Sequence, residues 1–220
     1  MAFRKWGTAS PSIDRLLGGG LREGRVMEFH GRSGSGKTQL AMQTVLCAAR
    51  SGATSLFVDT EGSFRPERLE TMAASRGWDA RRLLDKVVHV RMDSSSAQME
   101  LVRRMGKRQE TAGCRVVAID TLTRNFSLDM PGRANAPTRQ GALGLHLSEM
   151  ARDAYLNSRA YILTNRVTSG PSGEAAVGGR TVEQLVHATV KLEKAQDSVQ
   201  ATLLPRGVSC TAALDGRGIY

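Results

Sequence analysis

The sequence is short of cysteine and has no long uncharged hydrophobic run. Its three cysteines, Cys47, Cys114 and Cys210, are odd in number and far apart, which fits neither a disulfide framework nor a zinc ribbon. No stretch approaches the roughly 18 apolar residues that span a bilayer, and the N-terminal residues contain no apolar signal core. We therefore expect a cytoplasmic protein in a reducing compartment, with no structural metal and no membrane partner.

Lysine and acidic residues are also scarce beside arginine. Lys plus Arg total 31, of which only six are Lys, against 21 Asp plus Glu, so the formal net charge is +10. A positive field attracts polyanions, and the planar guanidinium group binds phosphate oxygens in pairs. Arginine-rich codon usage explains the same ratio, so the composition favours nucleic acid or phosphate as a partner without deciding it.

The chain contains short apolar runs that alternate with helical stretches. With 220 residues, 40% of them hydrophobic, we expect one domain spanning residues 1–220. The alternation is typical of β-α-β units, so we predict an α/β fold with a mostly parallel central sheet flanked by helices. The parallel strands are predicted at 26–30, 54–59, 87–91, 116–119 and 161–164, with helices at about 38–51, 66–77 and 139–156. A further helix carries Met99, Leu101, Val102 and Met105, with Ser94, Ser95 or Ser96 as its possible N-cap. A short helix at 181–185 and strands at 189–192, 199–204 and 210–214, joined by turn-length connections, predict an antiparallel C-terminal extension.

A glycine-rich segment from Gly31 to Thr38 has the pattern of a phosphate-binding loop. It fits G-x-x-x-x-G-K-[ST], follows a predicted strand and opens a predicted helix. Backbone N–H groups of such a loop bind phosphate, while Lys37 supplies a cation and Thr38 a hydroxyl for Mg²⁺. The segment therefore predicts ATP and Mg²⁺ as cofactors. The candidate nucleotide-binding residues here are Gly31, Arg32, Ser33, Gly34, Ser35, Gly36, Lys37, Thr38 and Gln39.

Two carboxylates follow predicted strands. Asp120 ends the apolar run 116–119, and Glu61 follows the strand that comes after the phosphate-loop helix. The carboxyl ends of parallel strands share one edge of a sheet, so both side chains are expected beside the phosphate loop. Asp120 is then a candidate ligand of the Mg²⁺ shell, and Glu61 a candidate catalytic carboxylate that orients or deprotonates water. The alternatives are a strand-end cap for Asp120 and a solvated turn for Asp59 and Glu61.

The segment from Asp59 to Leu69, DTEGSFRPERL, resembles a stretch of the RadA-type recombinases, a branch of the RecA superfamily. Further matches are SIDRLLGGG at 12–20, Arg139-Gln140, and LTNRV at 163–167, where the family has T-N-Q-V. The resemblance implies a RecA-like ATPase core in which Lys37, Thr38 and Asp120 handle phosphates and Mg²⁺. It also implies that Glu61 is the catalytic carboxylate and that Arg68 lies on the adenine.

By the same resemblance, the polar stretch 123–137 and the segment 166–179 correspond to the family's two DNA-binding loops. The second is rich in Gly, Ser and Pro, and we predict a mobile loop there. Cations interleaved with an aromatic ring bind single-stranded DNA without reading its sequence. The candidate DNA-binding residues are Arg124, Phe126, Arg133 and Arg139. An ordinary surface loop of the same composition is the alternative.

Three features depart from the family pattern. The chain has Arg166 where the family has Gln, and its guanidinium group is expected within reach of a γ-phosphate or of DNA. Trp6 stands where the linker F-x-x-A of the family has a small residue. We also expect no N-terminal helical DNA-binding domain, which makes the chain similar to short core-only archaeal paralogues such as RadB.

The sequence therefore predicts a slow Mg-dependent ATPase that binds single-stranded DNA and assists a RadA-type recombinase in homologous recombination and DNA repair. A homo-oligomer is also compatible with the family. Two alternatives remain: a non-hydrolysing nucleotide-dependent protein-interaction module and a KaiC-like signalling ATPase. A small-molecule kinase of the P-loop class is less favoured, because the position of Glu61 suits water activation better than the binding of a phosphoryl acceptor.

Overall fold

The structure, a computed structural model, describes residues 3–105, 113–170 and 173–220. Most strands belong to one nine-stranded sheet. The strands are β1 (Lys5–Trp6), β2 (Leu21–Arg22), β3 (Arg25–His30), β4 (Thr54–Asp59), β5 (Val87–Arg91), β6 (Cys114–Asp120), β7 (Ala160–Asn165), β8 (Val167–Gly170), β9 (Gly173–Ala176), β10 (Ala188–Ala195), β11 (Ser198–Leu204), β12 (Val208–Asp215) and β13 (Gly218–Ile219). The helices are α1 (Pro11–Leu16), α2 (Lys37–Arg50), α3 (Pro66–Ala74), α4 (Ala80–Leu84), α5 (Ser95–Met105), α6 (Arg124–Asp129), α7 (Ala136–Leu156) and α8 (Gly179–Leu185).

The central sheet confirms the predicted α/β class. Its strand order is β13-β12-β11-β10-β3-β7-β6-β4-β5. The six strands from β10 to β5 run parallel. The three strands predicted for the C-terminal extension, β10, β11 and β12, pair antiparallel in that order. β10 also pairs parallel with β3, and the short strand β13, which was not predicted, pairs antiparallel with β12. Because parallel strands share a direction, β3, β4, β6 and β7 all end at one edge of the sheet.

Apolar side chains fill both faces of the sheet. One core contains α2 and α3 with residues such as Phe29, Leu40 and Phe57. The other packs α5, α6 and α7 against residues such as Val117 and Tyr161. This two-sided burial explains why the central strands read as continuous apolar runs rather than alternating ones.

Two predicted loops contain regular structure, which corrects the sequence-based expectation. The stretch 123–137 contains the helix α6, whose Phe126 side chain is fully buried. The segment 166–179 contains the hairpin β8–β9, paired from Val167 with Ala176 to Gly170 with Gly173. Long-range packing and strand pairing offset the low local propensity of Gly, Ser and Pro here. Part of the second prediction, residues 171–172, lies outside the described residues.

Among the described residues, no α-helix is both long enough and apolar enough to cross a membrane.

A buried cluster of polar side chains joins α6 to α5 and α7. Asn125 donates from its amide to the side chain of Gln98, whose own amide lies 3.2 Å from Nε2 of His146. The imidazole of His146 packs against the ring of Phe126, with 5.6 Å between centroids. Burial lowers the pKa of His146 to about 3, because the charged form loses its hydration. His146 is therefore neutral in the folded protein.

This burial predicts an acid-dependent loss of stability. An unfolded chain protonates His146 near its ordinary pKa of 6.5, whereas the folded protein does so only near 3. Stability from the neutral form is thus present above pH 6.5 and is lost as the pH falls from there towards 3. We expect His146→Gln to reduce the pH dependence of the free energy of unfolding in urea between pH 7 and 4. Parallel curves for the two proteins would show that His146 is not the titrating group.

Candidate nucleotide site

The phosphate loop joins the C-terminal end of β3 to the N-terminus of α2. Gly31 approaches the neighbouring strand β10 so closely that a Cβ atom would lie 2.2 Å from the carbonyl oxygen of Leu192. Gly36 has a φ of +91°, in the left-handed region that favours glycine. These two glycines are therefore required by the path of the chain.

Lys37 lies inside the loop with its side chain largely buried. Its Nζ donates to the carbonyl oxygens of Gly31 and Arg32, at 2.9 and 2.7 Å. Burial lowers the pKa of Lys37, while the charges of Asp120 and Glu61 oppose that shift. The ammonium group is thus held at the centre of the loop by neutral carbonyl acceptors. A hydrogen bond to an anionic phosphate oxygen would be stronger than these bonds, because the acceptor is charged.

The carboxylate of Asp120 accepts hydrogen bonds from hydroxyl groups of three other segments. Thr38 at the start of α2 donates to its Oδ2 at 2.8 Å, and Ser63 donates to the same oxygen at 3.3 Å. Thr164 on β7 donates to Oδ1. Only 2% of Asp120 is exposed, and this burial raises its pKa. A hydroxyl beside a carboxylate is an oxygen donor set that suits Mg²⁺, so Thr38 and Asp120 fit the predicted metal site.

Asp59 shapes the loop that carries Glu61. Its carboxylate is buried and accepts hydrogen bonds from the backbone N–H groups of residues 61, 62, 63 and 64, at 2.7 to 3.2 Å. Such bonds fold a short segment around one side chain. They fix the path of the chain as it leaves β4, so that Glu61 returns towards Asp120.

Glu61 is held by a hydroxyl and a guanidinium group. Thr121 donates to its Oε1 at 2.8 Å, and Arg166 donates to the same oxygen from Nε at 3.0 Å and Nη2 at 2.6 Å. No donor from the described residues binds the second oxygen, Oε2. The Arg166 side chain is 58% exposed and the Glu61 side chain 27%, so Arg166 can change partners at little energetic cost.

A cavity of about 850 Å³ connects these side chains. The structure brings Glu61, Arg68, Asp120, Arg166 and the predicted phosphate-loop residues other than Ser35 to its walls. Ser35 is buried, and its hydroxyl oxygen accepts a hydrogen bond from Nζ of Lys37 at 3.4 Å. Several lining residues were not predicted from the sequence. They are Met42, Ser63, Arg65, Thr121, Val167, Lys194, Leu214, Asp215 and Gly216.

The sequence of this chain is similar to those of known proteins. The family model named Rad51 matches residues 4–196. The DNA repair and recombination protein RadA of Ignicoccus hospitalis is 32% identical over 237 aligned positions, which cover 98% of this chain and 72% of the relative. The protein of the same name from Aeropyrum pernix is 32% identical over 224 positions, covering 94% and 70%.

This chain belongs to the Rad51 family. It falls in the RadA-type recombinase branch of the RecA superfamily, which confirms the resemblance seen in its motifs. Proteins of this family are ATPases of DNA repair and recombination. The family membership assigns no role to a particular residue here.

The candidate DNA-binding residues of this Rad51-family chain differ in their exposure and in their hydrogen bonds. Phe126 is 0% exposed and packs in the core beneath α6, so it does not offer a face to a base, and this corrects its expected stacking role. Arg124 donates to the carbonyl oxygen of Thr60 at 2.8 Å. Arg139 donates to the carbonyl oxygens of Met130 and Gly132. Arg133 is exposed in the turn between α6 and α7.

The hairpin β8–β9 reaches back to the phosphate loop. Glu174 on β9 forms an ion pair with Arg32 at 2.6 Å, while Arg166 at the base of the hairpin pairs with Glu61. Asn165, which precedes the hairpin, fixes its start: the side-chain amide donates to the buried carboxylate of Glu28 and to the carbonyl oxygen of Val177, both at 2.7 Å. Apart from the bond between Asn165 and Val177, these contacts join residues over 100 positions apart, and no local pattern in the sequence signals them.

Proposed function

We propose that this Rad51-family protein binds Mg-ATP, hydrolyses it slowly, binds single-stranded DNA and assists a RadA-type recombinase. The observation that carries the nucleotide part is the 2.8 Å bond between the Thr38 hydroxyl and the Asp120 carboxylate. It lies beside Lys37 and Glu61, at the edge where four parallel strands end. A phosphate-binding loop, an oxygen donor pair for Mg²⁺ and a further carboxylate are the parts that ATP hydrolysis requires.

The phosphates are proposed to lie over the N-terminus of α2. The backbone N–H groups of the loop and the helix dipole stabilise negative charge there. Lys37 exchanges its carbonyl partners for phosphate oxygens, and Thr38 with Asp120 holds Mg²⁺. The metal, when bound, neutralises charge on the phosphate oxygens.

Glu61 is proposed to orient and deprotonate the attacking water through Oε2. Its other oxygen is occupied by Thr121 and Arg166, which fixes the direction of the carboxylate. A base with one oxygen bound and the other accessible is placed to accept a proton from water. This arrangement favours hydrolysis over transfer to a small-molecule acceptor.

Two substitutions separate binding from turnover. Lys37→Ala removes a charge-assisted phosphate contact, which is expected to lower ATP affinity by about 2 to 3 kcal/mol, or roughly 30-fold to 150-fold. Glu61→Gln is expected to keep ATP affinity and lose turnover, because it acts on the water rather than on the bound nucleotide. Calorimetry and a phosphate-release assay measure the two quantities.

Two results would contradict the proposed nucleotide binding and hydrolysis. ATP affinity within threefold of the parent in Lys37→Ala would contradict the phosphate-loop assignment. A parent rate no higher than that of Lys37→Ala, with and without DNA, would instead favour the non-hydrolysing interaction module.

Arg166 is proposed to leave Glu61 for the γ-phosphate when ATP binds. Its exposed guanidinium group lies against the carboxylate that faces the phosphate end of the cavity, and Arg binds phosphate oxygens more strongly than the neutral Gln of the family does. We expect Arg166→Gln to reduce the preference for ATP over ADP, measured by calorimetry. Arg152→Gln, on the exposed face of α7, is the matched charge control. If Arg166→Gln and Arg166→Ala leave ATP, ADP and DNA affinity and the ATPase rate unchanged, this role is refuted.

DNA binding is proposed to be electrostatic and independent of sequence. The net charge of +10 supports it, as do the positions of Arg124, Arg133 and Arg139 around α6. Arg133 gives the cleanest test, since its side chain makes no hydrogen bond to any residue in the described ranges. Arg133→Ala is expected to flatten the logarithmic salt dependence of single-strand affinity by about 0.7, the contribution of one phosphate contact.

Fluorescence anisotropy across a salt series measures this slope. Arg152→Ala, which removes the same charge at the other end of α7, is expected to leave the slope unchanged. A slope near zero in the parent protein would contradict DNA binding and attribute the net charge to codon usage.

The partner is proposed to be a RadA-type recombinase. The N-terminal segment that carries Trp6 is folded against its own chain, with β1 paired to β2 and Trp6 only 3% exposed. This arrangement favours an accessory role over self-assembly through that segment. Pull-down and light scattering with the RadA recombinase of the same organism, with and without ATP and single-stranded DNA, test the partnership. Hexameric rings of this chain alone with ATP would favour the KaiC-like alternative.

A further inference from the structure

Strand β5 stands last in the strand order of the central sheet, beside β4. In the register of this parallel pair, His89 lies opposite Phe57 and Arg91 lies opposite Asp59. Alternate residues of a strand point to the same face of a sheet. The side chains of His89 and Arg91 therefore share a face with those of Phe57 and Asp59, next to the loop that carries Glu61.

Arg91 contacts the start of that loop. Its Nη1 lies 3.5 Å from Oδ1 of Asp59, the oxygen that also accepts the backbone N–H groups of residues 61, 62 and 63. Its Nε donates to Asp93 at 2.8 Å, which fixes the guanidinium group from the other side. A Cβ atom at Gly62, where φ is +74°, would lie 2.9 Å from Nη1 of Arg91. The guanidinium group thus packs directly on the backbone of the loop.

His89 contacts the end of the same loop. Its ring stacks on the ring of Phe64, with 4.2 Å between centroids and 8° between planes. Its Nε2 lies 3.6 Å from Oδ2 of Asp59, the oxygen that accepts the N–H of Phe64 at 3.1 Å. The other neighbour of the Phe64 ring is Phe57 in the core, at 5.1 Å. His89 and Phe57 together hold the Phe64 ring in place.

The charge of Arg91 offsets the burial of Asp59. The side chain of Asp59 is only 2% exposed, and a buried carboxylate is costly unless hydrogen bonds and a nearby cation balance it. Arg91 supplies a permanent positive charge there. The same loop carries Ser63, which donates to Asp120. A loop that loosened would therefore move Glu61 and Ser63 together, relative to the phosphate loop.

We propose that Arg91 and His89 are positioning residues for Glu61, which they hold in place through Asp59 and Phe64. This inference rests on the proposed hydrolysis of ATP. Neither Arg91 nor His89 lines the cavity, so neither is expected to contact the nucleotide. Their loss is therefore expected to slow the chemical step and to leave the affinity for ATP unchanged.

The first test compares two replacements of Arg91. Arg91→Ala is expected to lower the ATPase rate at saturating ATP by about tenfold, because a misplaced group loses much of its effect on the reaction. Arg91→Lys keeps a positive charge beside Asp59 and is expected to recover most of that loss. The affinity for ATP, measured by calorimetry, is expected to stay within about twofold of the parent in both variants. Arg104→Ala removes an exposed arginine that pairs with Glu100 on α5. It is the matched control and should keep the parent rate.

The second test concerns the stacked ring of His89. His89→Ala removes the ring and is expected to lower the rate by about threefold, whereas His89→Phe keeps a ring against Phe64 and is expected to lose less. Val88→Ala changes a neighbouring side chain of β5, which is 47% exposed and points to the other face of the sheet. This control is expected to keep the parent rate.

Hydrogen exchange measures the position of the loop without turnover. The amides of residues 61–64 are bonded to Asp59. In Arg91→Ala they are expected to exchange faster than in the parent, while the amides of β4 keep their protection. A variant that only destabilised the whole fold would raise exchange in both segments.

The outcomes separate this inference from the proposal beneath it. A lower rate at unchanged ATP affinity, with faster exchange confined to residues 61–64, supports the positioning role. Unchanged rates in both Arg91→Ala and His89→Ala overturn it. An equal loss of rate and ATP affinity also overturns it, since the loop would then hold the nucleotide rather than Glu61. A parent protein that turns over ATP no faster than Lys37→Ala refutes the proposed hydrolysis, and the positioning role with it.

Discussion

The buried carboxylate of Asp120 is the group on which the rest of the site depends. Hydroxyl groups from α2, from the loop after β4 and from β7 all converge on its two oxygens. A carboxylate in so little water is stable only if its oxygens are bound or a cation is near. Asp120 therefore draws three segments, distant in sequence, to one point at the edge of the sheet, and the phosphate loop closes over that point.

The two sides of the cavity differ in rigidity. On the side of the turn between β12 and β13, the wall is held by the buried bonds of Gln43 and by close contacts at Gly36 and Gly218. Towards the hairpin β8–β9, the contacts are ion pairs between Arg32 and Glu174 and between Arg166 and Glu61, all at least partly exposed. Exposed pairs contribute about 0 to 1 kcal/mol each. Bound anions can therefore rearrange the hairpin side while the opposite wall stays in place.

Under the proposed function, nucleotide and DNA would both bind the cations on the hairpin side of the cavity. Arg166 lies between Glu61 and the hairpin β8–β9. A charge at this position, in place of the family's neutral Gln, makes its contacts stronger and dependent on salt. The balance between Glu61, phosphate and DNA as its partner would then set how this chain differs from the longer RadA proteins that it resembles.

The sequence by itself determined the phosphate loop, the strands that end at Asp59 and Asp120, and the α/β class. Each of these depends on residues close together in the chain: a glycine-rich turn between strand and helix, or an apolar run followed by a carboxylate. Only the tertiary structure decided that Phe126 is buried, that the glycine-rich segment pairs as a hairpin, and that the 214–216 turn lines the nucleotide cavity. It also decided that Asp59 folds the loop before α3 instead of facing solvent. These outcomes follow from the order of strands in the sheet and from contacts between segments far apart in sequence, whose free energies no local pattern contains.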